Sequence, residues 1–257
     1  MAADTKPTLF IIHGGWHTPD SYKKLTSSLE TRGYEVHVPR LPSTNGSRPP
    51  NADLVTDSLL VRSYVESLIR AGRTVVVIMH SYGGQVGTNS LYGLGLEARA
   101  KQGLPGGISH LIYMTAYAVP EGNAMMDKVK EFGNEDLVPL VFDFADDKTC
   151  LFRDPKGLMI GPGVSDAEVD EYLTTFVRWN GNGMYQASEH AAWRDIPTSY
   201  IYTTTDMTVP LAYQQNIVEG LEKAGRKVQT FTLETGHCPN LTATEDVVEI
   251  VEKVIAG

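Results

Sequence analysis

The chain has 257 residues, 42% of them apolar and 21% charged, which is ordinary globular usage and excludes a disordered or fibrous chain. Its 31 acidic residues outnumber 22 basic ones and leave a net charge of −9, the wrong sign for phosphate backbones, so no nucleic-acid partner is expected. No run reaches the roughly 18 apolar residues of a membrane span, so a cytoplasmic protein without a membrane partner, of one large domain or two small ones, is expected.

In chain order, residues 1–7 have no apolar leader core and run directly into Thr8–His13 (TLFIIH). That short apolar run, stopped by Gly14-Gly15, predicts a buried strand and a turn. Thr18-Pro19-Asp20 offers a cap with proline in the first turn, and Tyr22, Leu25 and Leu29 recur at helical spacing until Gly33. Tyr34–Val38 predicts a second strand and Leu41–Pro50 a loop. Residues 53–71 predict a helix with one apolar face. Thr74–Met79 (TVVVIM) is apolar throughout, as a central parallel strand covered on both faces must be. A sharp turn at His80–Gly84 then leads into helical sequence up to about Ala100. Further strands are expected at Ile108–Met114, Thr198–Thr204 and Lys227–Leu233, with helices at Val209–Ala224 and Thr244–Ala256. The alternation predicts an α/β fold with a mostly parallel sheet flanked by helices. It lapses over residues 117–195, which hold one candidate helix near Asp166–Val177. That stretch is too long for a bare loop and predicts an inserted cap on a core of residues 1–116 and 196–257.

The turn after Thr74–Met79 carries the first chemical signal. A serine between a buried strand and a helix, followed by Gly83 and Gly84, fits a nucleophile elbow, in which Ser81 is presented beside the positive end of the next helix. The first glycine of the usual G-x-S-x-G pattern is replaced by Met79, whose side chain must find room elsewhere. A serine attacking a carbonyl needs donors for the developing oxyanion. Tyr82 N–H follows the nucleophile, and Gly15, in His13-Gly14-Gly15-Trp16, lies in the loop expected to supply the second.

Serine also needs a base and an oriented carboxylate. His237, in Thr235-Gly236-His237-Cys238, and Asp206, in Thr203-Thr204-Thr205-Asp206, each follow a late strand, and the order Ser81, Asp206, His237 is that of the α/β hydrolases. His80 reads as structural support, His13 as a shaper of the oxyanion loop, and His190 and Asp195 as structural, Asp195 being the reserve acid. His17, His37 and His110 have no identifiable partners. Cys238 reads as wall, since a nucleophilic cysteine would need its own histidine. Cys150 and Cys238 have neither metal-like nor disulfide-framework spacing. Asp143, Asp146 and Asp147 read as a solvated acidic loop, so no metal is expected.

Over nearly its whole length the chain resembles the α/β-hydrolase superfamily, and more closely the group of plant methyl-salicylate esterases and hydroxynitrile lyases. The matching pieces are HGGWHTPDSYKKL, HSYGG, TTTDMTVP and TGHCPNL. The resemblance implies an eight-stranded, mostly parallel sheet, a cap and no cofactor. It also implies Ser81, Asp206 and His237 as a triad, with Gly15 and Tyr82 as oxyanion donors. The lyases of the group resemble one another in a threonine near the oxyanion loop and a lysine after the histidine. Glycine and Cys238 stand in those places here, which argues against cyanogenic chemistry.

The leading reading is therefore a serine hydrolase cleaving a carboxylic ester or lactone of a small, partly apolar molecule through an acyl-enzyme. The cap residues Tyr117, Met125, Met126, Phe142, Phe144, Phe152, Trp179 and Tyr185 suit an enclosed apolar pocket, although most would equally serve as cap core. A lyase, condensing enzyme or cyclase of secondary metabolism, with His237 as acid–base, is the alternative on the same scaffold. A ligand-binding protein on a retired hydrolase scaffold is a third, but it would not need all three triad candidates.

Overall fold

The computed structural model describes residues 6–257, so most of the stretch read as lacking a leader lies outside the described residues. The first half of the chain runs β1 (Thr8–Ile12), α1 (Lys23–Thr31), β2 (Val36–His37), α2 (Leu54–Arg70), β3 (Thr74–His80), α3 (Tyr82–Ser90), α4 (Leu96–Lys101) and β4 (Gly107–Met114). A looser stretch follows, with α5 (Met125–Glu131), α6 (Val138–Val141), β5 (Phe142–Phe144), β6 (Thr149–Phe152), α7 (Asp166–Leu173) and β7 (Trp179–Asn180). Regular alternation resumes with β8 (Thr198–Thr203), α8 (Leu211–Lys223), β9 (Val228–Leu233), α9 (Pro239–Thr242) and α10 (Thr244–Ala256).

Among the described residues six strands form one parallel sheet in the order β2-β1-β3-β4-β8-β9. This corrects the eight strands implied by resemblance. The six segments with strand-like patterning are the six strands, and beyond β2 the chain enters Pro- and Ser-rich sequence that cannot extend a ladder. The edge strand β2 is also shorter than Tyr34–Val38. Side chains alternate across the sheet. Leu9, Ile11, Val76, Ile78 and Ile112 face α1 and α10, where Leu25, Leu29, Val247 and Val251 are fully buried. Phe10, Ile12, Val75, Val77 and Met79 face the other way, toward α2, α3 and α8. Both faces being covered is why β3 is apolar without interruption.

Three segments differ from the patterning. The helical stretch after the elbow is broken between α3 and α4, where Gly93 takes φ 71 and Gly95 is non-helical. The helix begun at Asp166 ends at Leu173. Residues 142–180 contain a three-stranded antiparallel sheet, β5-β6-β7, whose strands of two to four residues are too short for a period-2 signal. Phe142 and Phe152 from this sheet, and Trp179 in β7, close around Trp16 with ring centroids 4.9–5.3 Å apart, so the small sheet is joined to the loop after β1 through aromatic packing.

Candidate active site

Ser81 sits between β3 and α3 at φ 54, ψ −124, a region that L-residues enter only under constraint. The constraint comes from close packing of the following helix. A Cβ on Gly83 would collide with the Ile12 carbonyl oxygen, and one on Gly84 would lie 2.7 Å from Tyr117 N. Only glycine lets α3 start this near β1 and the loop after β4. Met79 finds its room at Gly87, where a Cβ would overlap the Met79 sulfur.

Ser81 Oγ lies 2.9 Å from His237 Nε2, and His237 Nδ1–H donates to Asp206 Oδ2 at 2.7 Å. All three side chains are buried, with His237 0% and Asp206 and Ser81 each 4% exposed. The Asp206 carboxylate is fixed from all sides. Thr115 Oγ1 (2.6 Å) and Thr203 Oγ1 (3.1 Å) donate to Oδ2, and the N–H groups of Thr208 and Val209 donate to Oδ1. Because Asp206 accepts the hydrogen bond from Nδ1–H and keeps the proton on that nitrogen, Nε2 is left as the acceptor facing the serine, the tautomer that can remove the hydroxyl proton. Thr115 gave no sequence signal. A threonine one residue past a strand end is unremarkable until its φ of 41 and its bond to Asp206 are seen.

His237 is also held through its backbone. His237 N–H donates to Met159 O at 2.6 Å, and Gly236 allows the Ile160 carbonyl to pass where a Cβ would be 2.6 Å away. Below it runs a one-way relay. Gly14 N–H donates to Tyr22 Oη, Tyr22 O–H to His80 Nδ1 at 2.5 Å, and His80 Nε2–H to the His237 carbonyl at 2.7 Å. His80 thus bonds the His237 backbone and lies outside the Ser81–His237–Asp206 line. Burial pushes the His80 imidazole well below its ordinary range, lowers His13 to about 4 and His17 to about 3, and so keeps all three neutral. His13 Nδ1–H donates to Gly14 O while Nε2 accepts from Leu41 N–H, and His17 Nδ1–H donates to Gly15 O, so two histidines shape the glycine loop.

The N–H groups of Gly15 and Tyr82 have no acceptor among the described residues. Tyr82 is the first residue of α3, where the helix itself leaves amides unpaired. Beyond Gly15, Trp16 takes φ 64 and is tied at both ends to the looser stretch: its carbonyl accepts from Val177 N–H at 2.8 Å, and its indole N–H donates to Cys150 O at 3.1 Å.

A cavity opens at Ser81 between the looser stretch and the loop after β8. Its walls include Tyr117, Met125, Met126, Val141 and Phe142, and none of the residues lining it is charged. Of the aromatic and methionine residues suggested for a pocket, Tyr117, Met125, Met126 and Phe142 line this cavity. Phe144, Phe152, Trp179 and Tyr185 do not, and Phe152 and Trp179 belong to the packing around Trp16. Met207, Val209 and Tyr213 on the core side were not foreseen. Their signal was only that they follow Asp206.

The remaining candidates fall outside this constellation. Asp195 is exposed and makes no side-chain hydrogen bond among the described residues, so it has no claim as the reserve acid. His190 stacks on Tyr92, His110 bonds Ser199, and His37 bonds Tyr64 and Glu35. Cys238 is buried 3.8 Å from His17 Nε2, with its thiol pushed up to about 12 by desolvation, which suits a wall and not a nucleophile. Asp147 bonds Arg48, and no group of three metal-ligating side chains occurs among the described residues. Nor is any described helix long and apolar enough to cross a membrane.

A family model described as "Alpha/beta hydrolase family" matches residues 9–250. The curated protein "Probable hydrolase R7" of Phoma sp. (strain ATCC 20986 / MF5453) is 26% identical over 256 residues, covering 97% of this chain and 98% of its own. Among solved structures, polyneuridine aldehyde esterase superposes with a TM-score of 0.78 at 17% identity, covering 97% of this chain and 99% of its own. The methylesterase MES16 from Arabidopsis superposes at 0.73 and 16% identity, covering 98% and 99%.

Proposed function

The chain belongs to the alpha/beta hydrolase family, and from that premise we propose that it is a serine esterase. Its substrate is a carboxylic ester or lactone of a small, neutral, partly apolar molecule. The observation that carries the reading is the continuous hydrogen-bonded line Ser81–His237–Asp206 opening on an uncharged cavity. Ser81 Oγ attacks the ester carbonyl as His237 Nε2 takes its proton, and the negative oxygen that forms is received by Gly15 N–H and Tyr82 N–H. Collapse reforms the carbonyl and breaks the bond from its carbon to the alkoxy oxygen, and His237 returns the proton to the departing alcohol. Water then attacks the acyl-enzyme, giving its proton to Nε2, and the acid leaves as Ser81 is regenerated. Asp206 holds the imidazole tautomer throughout.

No charged side chain lines the cavity, which supports a neutral substrate, since a carboxylate or phosphate buried there would have no partner. In this reading residues 117–195 act as the cap that encloses the substrate, and neither cofactor nor metal takes part. The plant esterases with which the chain superposes act in the same chemical direction. Because Gly87 makes room for Met79 and the elbow keeps its strained serine, no feature of the site favours the non-hydrolytic alternative.

The test is hydrolysis of a short-chain p-nitrophenyl ester by wild type, Ser81→Ala and His237→Ala. Each variant is expected to lose on the order of 10⁴-fold or more in kcat. A serine-reactive phosphonate should label wild type and leave Ser81→Ala untouched. A wild type that neither hydrolyses nor labels would sink the esterase reading.

A further inference from the structure

A buried carboxylate outside the triad bonds Tyr82 directly and reaches the Gly15 loop through Ser43 and Trp179. Asp57, on α2, is 0% exposed. It accepts Ser43 N–H at 2.8 Å, Ser43 O–H at 2.6 Å and Tyr82 O–H at 2.9 Å. The Ser43 hydroxyl oxygen in turn accepts the indole N–H of Trp179 at 3.0 Å. Among the described residues no lysine, arginine or histidine bonds to Asp57. The groups packed against it are Ser43 from the turn at 42–44, Tyr82 from α3 and, through Ser43, Trp179 from β7. Asp53, the N-cap of the same helix, is a further carboxylate that acts on it.

Such an arrangement is costly. Desolvation raises the Asp57 carboxyl to about 6 despite its three donors, and an apolar or amide side chain would avoid that cost. What the carboxylate supplies is acceptance from two separate elements at one point. Tyr82 follows Ser81 as the first residue of α3, and its backbone N–H has no acceptor among the described residues, so anchoring its side chain fixes the start of α3. Trp179 lies against Gly15 so closely that a Cβ there would be 2.8 Å from the indole ring, and its ring centroid is 4.6 Å from that of Tyr82. Trp179 therefore forms the back wall of the second donor and touches the first.

We propose that Asp57 is a positioning residue for the oxyanion hole: as a carboxylate it clamps Tyr82 directly and the Gly15 loop through Ser43 and Trp179. The proposal rests on the esterase reading above, and deepens it by adding a proton-controlled brace. With Asp57 ionised, all three donors are held. Protonation turns one acceptor oxygen into a donor, so one bond of the clamp is lost and the two amides no longer keep a single spacing.

The test is Asp57→Asn, measured with the p-nitrophenyl ester and with an alkyl trifluoromethyl ketone, whose adduct with Ser81 carries an oxyanion. The expected result is a fall in kcat of about 10²-fold with KM changed less than about threefold. Ketone affinity should fall by a similar factor. The wild-type acidic limb should contain an ionisation near 6 that the variant lacks. A purely structural role would lower the thermal midpoint without splitting kcat from KM. A kcat within about threefold of wild type, or a rise in ester KM as large as the loss of ketone affinity, would overturn the proposal. If Asp57→Asn does not fold, Tyr82→Phe decides, since it removes the hydroxyl and leaves the backbone N–H. A roughly tenfold loss in kcat and ketone affinity supports the brace, and an unchanged kcat overturns it. A wild type inert to both ester and phosphonate refutes the esterase reading itself, whereas an active wild type with an unaffected variant refutes only the brace.

Discussion

Among the described residues four non-glycine positions have positive φ: Trp16, Ser81 and Thr115 belong to the candidate site, and Lys148 lies in the β5–β6 turn. Each such residue costs on the order of 1–3 kcal/mol and persists only where its surroundings over-determine it. Thr115 is the most informative, because a β-branched side chain is least tolerant of that region. Its compensation is the 2.6 Å bond to Asp206. Thr115→Ser keeps the hydroxyl and is expected to hold kcat/KM within about threefold. Thr115→Val removes a donor to a buried carboxylate and is expected to lose about 10- to 100-fold, a bond to a charged group being worth about 1.5–3 kcal/mol. Steady-state kinetics of the two variants on one ester decides this, and equal losses would place the effect in packing and not in the bond.

At the level of elements, the β3–α3 elbow survives an atypical residue through exchange of volume between strand and helix. Met79 fills the space that Gly87 vacates one turn into α3. Met79→Ala should cost about 2–4 kcal/mol as a cavity. Gly87→Ala should be destabilising in wild type by overpacking, yet gain up to about 1 kcal/mol of helix propensity when Met79 is already alanine. A double-mutant cycle by urea unfolding should therefore show coupling of about 1 kcal/mol or more, and additive effects would contradict the account. The same elbow shows what is readable in sequence. Ser81, Asp206 and His237 were legible because each follows an apolar, strand-forming run, and parallel strands bring such ends to one edge of the sheet. Thr115, Asp57 and the walls from Met207 to Tyr213 were not. Their roles depend on approach between elements far apart in the chain, and neither periodicity nor a short motif encodes that. Strands β5 to β7 were missed for a simpler reason, being shorter than the period needed to recognise them.

Across the whole molecule, burial of neutral histidines sets the response to acid. The unfolded chain protonates these groups below about 6.5, whereas the fold keeps His13 and His110 neutral to about 4 and His17 to about 3, with His80 shifted the same way. Their contribution is complete above about 6.5 and is lost as pH falls through that window. Asp57, raised to about 6, acts oppositely and offsets roughly one of them. The net uptake of two to three protons on unfolding predicts a fall of roughly 3–4 kcal/mol per pH unit near pH 5. Urea-unfolding free energies between about pH 6.5 and 4.5 measure this directly, and a flat profile would mean the histidines are not held neutral. The double tether of Trp16, to Val177 N–H and to the Cys150 carbonyl, bears on exchange of segments as well. The stretch that lines the cavity at Ser81 is bonded to the loop after β1, so it is not a freely interchangeable module. In the esterase reading, a chimera that transplants a relative's segment without its own partner for that tryptophan is expected to gain a new cavity together with a displaced Gly15 loop. Replacing cavity walls one side chain at a time is the change that leaves the tether intact.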